Sequence, residues 1–236
     1  MMEIKVIGVG GIGCALLPHL CRYLCYGPPA DGDGAGGPPA RVIVVDGDAF
    51  EARNAARQAF PALGNKAQVK AAELAREFEP LSLRAIPEFV HEGNAAGIIG
   101  EGDVVFLAVD NHRTRKVVSD RCKTLRDVTL ISGGNDLTDG NVQVYLRRRG
   151  REFTAPLTRF HPEIASPRDR SPAEQSCDEL QREAAPQLLF TNLAVASAML
   201  NAFYAWQQGA LAYGEVYVDI VQGRSNPLSR APEAAP

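Results

Sequence analysis

The chain has 236 residues, 45% hydrophobic and 22% charged, with a formal net charge of -3. Those values describe a globular protein with an apolar core and exclude a disordered or collagen-like chain. They also argue against a nucleic-acid partner or an anionic membrane surface, both of which select for net positive charge.

The amino terminus enters a strand at once, "MEIKVIGVG", with no basic leader or small-residue cleavage site, so no signal peptide is expected. The longest apolar tract, "QLLFTNLAVASAMLNAFYAW", carries Gln, Thr, Asn and Ser and is too polar for a spanning helix. The five cysteines, at 14, 21, 25, 122 and 177, are odd in number and form no C-x-x-C pair. Neither a disulfide framework nor a four-thiolate zinc site is expected, and the expected compartment is the cytoplasm.

In chain order, residues 3–9 predict a buried strand, and "GVGGIG" (8–13) turns directly into an apolar helix through Leu24, with Pro18 inside it. Residues 27–39, "GPPADGDGAGGPP", hold almost only Gly, Pro, Asp and Ala and predict a flexible surface insertion. "RVIVVD" (41–46) is apolar on both faces, as a parallel strand covered on both sides should be. A helix follows over 65–78, with Ala67, Ala71, Leu74 and Phe78 on one face. "SLRAIPEFV" predicts an edge strand because of Pro87. "DVVFLAVD" (103–110) predicts another buried strand, residues 113–126 a helix, "VTLISGG" a strand, and "GNVQVYLRR" a strand of period two.

The basic run "RRRGR" (147–151) reads as a solvated turn. Residues 151–185 show no sustained period and predict a long loop. Leu189, Leu193, Ala196, Leu200 and Phe203 predict one face of a long helix; "GEVYVDIV" closes as a strand, and residues 230–236 form a frayed tail. Strands alternating with helices imply a doubly wound, mostly parallel α/β sheet in one domain spanning 1–236.

Gly8, Gly10, Gly11 and Gly13 lie between a strand and a helix, where glycine lets the backbone approach a phosphate and the helix amino terminus favours an anion. Such a turn alone does not identify the ligand. An acid expected about twenty residues later appears at Asp46 once the insertion is discounted, placing it as a ribose partner. A dinucleotide site needs only that acid, but Asp48 follows it. Asp110 ends a second buried strand, where the carboxyl ends of strands line the ligand crevice. There a carboxylate, followed by Asn111, is placed to hold Mg²⁺, and Arg57 and Lys66 offer cations for a departing pyrophosphate. The combination fits a triphosphate.

The run from "GVGGIG" through "DGDAFEARNAARQAF", "GNKA" and "DNHRTR" resembles the ThiF and ubiquitin-activating-enzyme superfamily over roughly residues 3–145. The resemblance implies a Rossmann-like adenylyltransferase that uses ATP and Mg²⁺ to adenylate the carboxy-terminal carboxylate of a ubiquitin-like or sulfur-carrier protein. It implies that Asp46 holds the ribose, that Asn54, Arg57, Gln58 and Lys66 surround the triphosphate, and that Asp110 binds Mg²⁺.

The later run "SCDELQREAAPQLLFTNLAVASAML" resembles the carboxy-terminal part of small bacterial ThiF-like proteins of the PRTRC group. That resemblance implies a crossover region in which Cys177 takes the acyl group as a thioester. It also implies conjugating-enzyme-like and JAB-type peptidase partners, and a homodimer. Many relatives carry an arginine ahead of the first strand; Arg53, Arg113 or a partner subunit are the candidates for its role here. A nucleotide-binding scaffold without turnover and a nicotinamide-dependent oxidoreductase stand as alternative readings.

Overall fold

The computed structural model describes residues 2–27, 40–169 and 187–232. In chain order, β1 (Met2–Ile7) runs through the Gly-rich turn into α1 (Gly11–Tyr26), then β2 (Ala40–Val45). A small hairpin of β3 (Ala49–Phe50) and β4 (Gly64–Asn65) precedes α2 (Lys66–Glu77) and β5 (Ser82–Ile86). Next come α3 (Ala95–Ile98), β6 (Val104–Leu107), α4 (His112–Thr124), β7 (Val128–Asn135) and β8 (Asp139–Arg148). Then follow β9 (Arg151–Glu152), α5 (Pro162–Ala165), the long helix α6 (Leu189–Gln207), β10 (Glu215–Asp219) and β11 (Arg224–Leu228).

The main sheet runs β11-β10-β8-β7-β6-β1-β2-β5. From β5 to β7 every pairing is parallel, and from β7 to β11 every pairing is antiparallel. The expected doubly wound, mostly parallel sheet is present, extended at one edge by antiparallel strands. Strand order reverses at β1, whose neighbours are β2 on one side and β6 on the other. That reversal opens a crevice at the carboxyl ends of the strands, where ligands of such sheets sit.

The apolar strands are apolar on both faces because two cores flank them. Ile4, Val6, Val42, Val44, Val104 and Phe106 pack under α1, α2 and α6. Their sequence neighbours Ile7, Ile43, Val45, Val105 and Leu107 point the other way, toward α3, α4 and α5. The period-two alternation of a strand distributes one continuous apolar run between two layers.

Several expectations shift in detail. The strand begun at Ser82 lies at the sheet edge, as Pro87 requires, and stops at Ile86. Residues 151–169 of the expected loop contain β9 and α5, while 170–185 lie outside the described residues, as do 28–39 of the insertion. The "RRRGR" run turns at its centre, with Arg149 at φ 52° and Gly150 at φ 76°, while Arg147 and Arg148 end β8 and Arg151 opens β9. Arg230, expected to open a frayed tail, is held: its Nε donates to Glu215 at 2.6 Å and its carbonyl accepts from Ala155 N–H.

The expected inward face of α6 is corrected. Ala196 and Phe203 are buried and Leu200 packs against the core as expected, but Leu189 and Leu193 are exposed, and Thr191, Val195, Met199 and Ala202 complete the buried face. This helix is apolar almost all round, so periodicity does not select a face. Packing does: a Cβ added at Gly133 of β7 would lie 2.3 Å from Met199 Sδ and 3.0 Å from Val195, so the bare glycine lets α6 settle on the sheet. Among the described residues, no helix is long and apolar enough to cross a membrane.

Candidate functional site

A cavity of about 1430 Å³ opens at the carboxyl ends of the parallel strands and extends over the antiparallel extension. Its first wall is the Gly-rich turn. Gly8 has φ +92°, and a Cβ there would sit 2.8 Å from the Ala108 carbonyl; a Cβ on Gly13 would sit 2.0 Å from Gly8 O. Both are fixed as glycine by backbone contact. A Cβ at Gly10 would meet nothing within 4 Å, because that position faces the cavity. Gly10 caps α1 without a side-chain hydrogen bond, so the first turn of this helix offers free backbone N–H groups to an anion.

Asp46 lies just past β2. Its Oδ2 accepts from Val9 N–H at 2.6 Å and its Oδ1 from Asp48 N–H at 2.8 Å. The acid therefore locks the Gly-rich turn to the next strand as well as facing the cavity. Burial raises its pKa, against the lowering effect of Lys66 and of those two N–H donors. Asp48 forms an ion pair with Lys66 Nζ, and Asn65 Nδ2 donates to the carbonyls of Asp46 and Asp48. Asn65 also caps α2 by accepting from Gln68 N–H. Asp48 thus orients the buried Lys66 at the cavity wall.

The short helical turn Ala52–Asn54 presents the next group. Asn54 Oδ1 accepts from Glu51 N–H at 3.2 Å and its side chain reaches the cavity. Arg57 and Gln58 follow. Arg57 Nε and Gln58 Oε1 are buried without a hydrogen-bond partner among the described residues, and both residues line the cavity. Unpaired buried donors and acceptors are costly, so such atoms mark where a polar ligand would complete the structure.

On the opposite wall, Asp110 is exposed and lines the cavity, and among the described residues its carboxylate makes no hydrogen bond or ion pair. Asn111 uses its side-chain oxygen to cap α4, accepting from Thr114 N–H at 2.8 Å. It caps the helix and also lines the cavity rim. Arg115, on the same helix, is buried and donates to Ser132 Oγ, Val109 O and Gly133 O. Burial pulls its pKa down to about 10, against the pull of Asp110, Asp169 and Glu163. The arginine braces the chain on either side of the crevice, from the residue before Asp110 to the end of β7.

The antiparallel side carries a cluster that sequence reasoning missed. Glu215, on β10, accepts from His161 Nε2 at 2.8 Å, Asn141 Nδ2 at 2.9 Å and Arg230 Nε at 2.6 Å. His161 Nδ1 faces Glu163 at 2.7 Å. Burial opposes ionisation of Glu215, yet the three donors hold its pKa at about 2. Burial also disfavours the His161 imidazolium, but Glu215 and Glu163 outweigh it and raise the pKa. Gln143 lies beside Glu215 in register; it is 5% exposed and its Oε1 has no partner. The period of "NVQVY" places Gln143 opposite the apolar face, and only the fold shows that this polar face lines a cavity.

Cys177 lies outside the described residues. Cys14, Cys21 and Cys122 are buried, and burial pushes the thiols of Cys21 and Cys122 up to about 12. They are packing residues. Arg113 pairs with Glu92 at 2.7 Å and is not among the cavity-lining residues. The side chain of Arg53 lies outside the described part of the chain.

Fold and site together define a doubly wound protein with a Gly-rich turn, two strand-end acids and a set of cations around one crevice. The ThiF family model matches residues 1–216, and the chain belongs to that family. It is 27% identical over 146 residues to the adenylyltransferase and sulfurtransferase MOCS3 of Drosophila virilis, covering 60% of this chain and 29% of the relative. To MOCS3 of Mus musculus it is 32% identical over 146 residues, covering 60% of this chain and 28% of the relative. The chain thus spans less than a third of the length of these relatives. Among solved structures, E. coli MccB with ATP superposes with a TM-score of 0.70 at 14% identity, covering 98% of this chain and 64% of MccB. PaaA superposes with a TM-score of 0.68 at 16% identity, covering 98% and 64%. At these identities the structural matches show the fold.

Proposed function

We propose that the protein uses Mg-ATP to adenylate the carboxy-terminal carboxylate of a ubiquitin-like or sulfur-carrier protein, releasing pyrophosphate. The observation that carries this reading is the single cavity joining the Gly-rich turn, Asp46, Arg57, Gln58, Lys66 and Asp110, with polar atoms of Arg57 and Gln58 buried and unpaired. Family membership and the curated adenylyltransferase relatives support the same chemistry. E. coli MccB, of the same fold, has been solved with ATP.

In the reaction, a carboxylate oxygen bonds to the α-phosphorus while the bond to the bridging oxygen breaks and pyrophosphate leaves. The nucleophile is already ionised, so no general base is needed; the work is alignment and neutralisation of charge. The α1 amino terminus receives phosphate oxygens and Asp46 accepts from ribose hydroxyls. Arg57 and Lys66 face the β- and γ-phosphates. Asp110, with no partner among the described residues, fits a hard cation. Among the described residues no group of three His, Cys, Asp or Glu side chains converges on one point, so an ion at Asp110 would draw its remaining ligands from phosphates and water. Mg²⁺ bound there supplies charge neutralisation on the phosphates. Transfer to Cys177 as a thioester would release AMP. A homodimer, a conjugating-enzyme-like protein and a JAB-type peptidase complete the proposed setting.

Calorimetric titration with Mg-ATP and with NAD, comparing wild type with Asp110→Ala, tests the reading. ATP should bind only with Mg²⁺ and at least about tenfold more weakly in the variant, and NAD should give no heat. NAD binding that ignores the substitution would refute the assignment. Nucleotide binding without pyrophosphate release in the presence of any carrier would mark a scaffold instead.

A further inference from the structure

Arg57 and Gln58 sit on a segment with no long helix or strand to fix it. Residues 55–63 join the short turn Ala52–Asn54 to β4, and Ala55, Ala56, Pro61, Ala62 and Leu63 are exposed. A surface segment of this kind holds its side chains in place only where its backbone is tied down. The N–H groups of Arg57 and Gln58 both donate to Asn54 O at 3.0 Å. One residue beyond Gln58, the backbone of Ala59 is gripped from two helices. Cys14 Sγ of α1 lies 3.2 Å from both Ala59 N and Ala59 O, accepting from the first and donating to the second. Lys70 Nζ of α2 also donates to Ala59 O. The same ammonium group donates to Glu73 Oε2 at 2.6 Å and lies 4.7 Å from the centre of the Phe60 ring, which stacks on Phe50.

Lys70 is 1% exposed and does not line the cavity, although Lys66, about one turn earlier on the same helix, does. Packing alone does not account for an ammonium group there. An apolar chain of similar length would fill the space without the desolvation cost, and buried ion pairs are commonly no better for stability than apolar substitutes. An apolar chain could not hold the Ala59 carbonyl, which among the described residues would keep only the Cys14 thiol, a weak donor. The two helices that grip Ala59 also carry the cavity's other phosphate-facing groups: α1 starts in the Gly-rich turn and α2 starts at Lys66. Ala59 is thus the point at which the Gly-rich turn, Lys66 and the Arg57–Gln58 segment are fixed relative to one another.

We propose that Lys70, together with Cys14, is a positioning residue that acts through the Ala59 backbone to aim Arg57 and Gln58 at the departing pyrophosphate, without touching the nucleotide itself. The proposal rests on the adenylation reading and adds to it a device that lies outside the cavity. A lysine acting in this way depends on Arg57 for its effect. A lysine acting by its own charge on the phosphates, or only by stabilising the fold, does not.

Calorimetric titration of the full chain with Mg-pyrophosphate and, separately, with AMP reads the device without a carrier protein. Lys70→Met should weaken pyrophosphate about tenfold, as Arg57→Ala should, and leave AMP unchanged. Lys70→Met combined with Arg57→Ala should weaken it little beyond Arg57→Ala alone, because nothing is left to aim. Cys14→Ala, which alters no charge, should act in the same direction by about threefold, and that effect should also vanish in the Arg57→Ala background. Losses that add to that of Arg57→Ala, losses that extend to AMP, or unchanged pyrophosphate affinity in both single variants would overturn the proposal. So would a wild-type protein that binds Mg-ATP but not pyrophosphate. Each of these leaves the nucleotide reading standing, whereas a wild type that binds neither removes both.

Discussion

Replacing Glu215 with Gln tests whether the crossover segment is anchored by buried charge. The carboxylate is 1% exposed and receives donors from three separate segments: Asn141 of β8, His161 ahead of α5, and Arg230 beyond β11. A carboxamide keeps the shape but offers one acceptor oxygen, so one donor meets an N–H₂ group. Hydrogen bonds to charged groups contribute about 1.5–3 kcal/mol each, against about 1 for neutral ones. Arg230 is 25% exposed and its share is reduced by solvent. The expected loss is about 3 kcal/mol, or roughly 6–12 °C in Tm for a domain of this size.

The pH dependence carries a second signature. His161 has a folded pKa above its ordinary 6.5, so its contribution is complete below 6.5 and disappears as pH rises through the raised value. Glu215 falls from 4.5 to about 2 on folding, so its contribution is complete above 4.5 and disappears as pH falls toward 2. This cluster should therefore give wild type a stability plateau between about pH 4.5 and 6.5, and Glu215→Gln should flatten both flanks. Urea denaturation followed by the single tryptophan, Trp206, which stacks on Phe203 at 5.8 Å, reads both effects. A change under about 0.5 kcal/mol with an unaltered pH profile would refute the cluster as an anchor.

Two further outcomes follow from contacts in the nucleotide half. Arg57→Ala should lower the rate of pyrophosphate release by about a hundredfold while changing ATP affinity much less, because in the proposed reaction its charge faces the departing group; equal losses in rate and affinity would count against that role. Gly11→Ala should cost about 1–3 kcal/mol, since its Cβ would fall 2.1 Å from Asn192 Nδ2. Combining it with Asn192→Gly should recover most of that loss in a melting experiment, and strict additivity would show that the clash is relieved elsewhere.

The parallel half was legible because each of its signals is local. Apolar runs such as "VIVV" need no partner to be recognised as doubly covered strands, and a Gly-rich turn between a strand and a helix has few other uses. The capping roles of Asn65 and Asn111 also follow the preference for Asn ahead of a helix. What the sequence hid was decided by long-range contact. "RSNPL" shows no alternation and contains Pro227, a residue confined to edge strands, so β11 emerges only through its pairing with β10. The inward face of α6 depends on Gly133, about sixty positions earlier. The partners of Glu215 come from three segments, and no spacing rule joins Asn141, His161 and Arg230.

The change of strand direction at β7 divides the work of the cavity. Parallel strands bring all their carboxyl ends to one rim, where the α1 amino terminus, Asp46 and Asp110 meet. Beyond β7 the strands reverse, and the cavity follows the sheet face instead of its rim, from Gln143 to Asp139. A compact polyanion suits the first geometry, because helix dipoles and strand-end acids converge on a point. An extended polypeptide suits the second, because period-two side chains present a row. Arg115 spans the seam, holding Val109 O beside Asp110 and Ser132 Oγ beside Gln143. Three hydrogen bonds from one buried side chain tie the end of the parallel rim to the start of the antiparallel face, so the two halves of the cavity are held in register by Arg115.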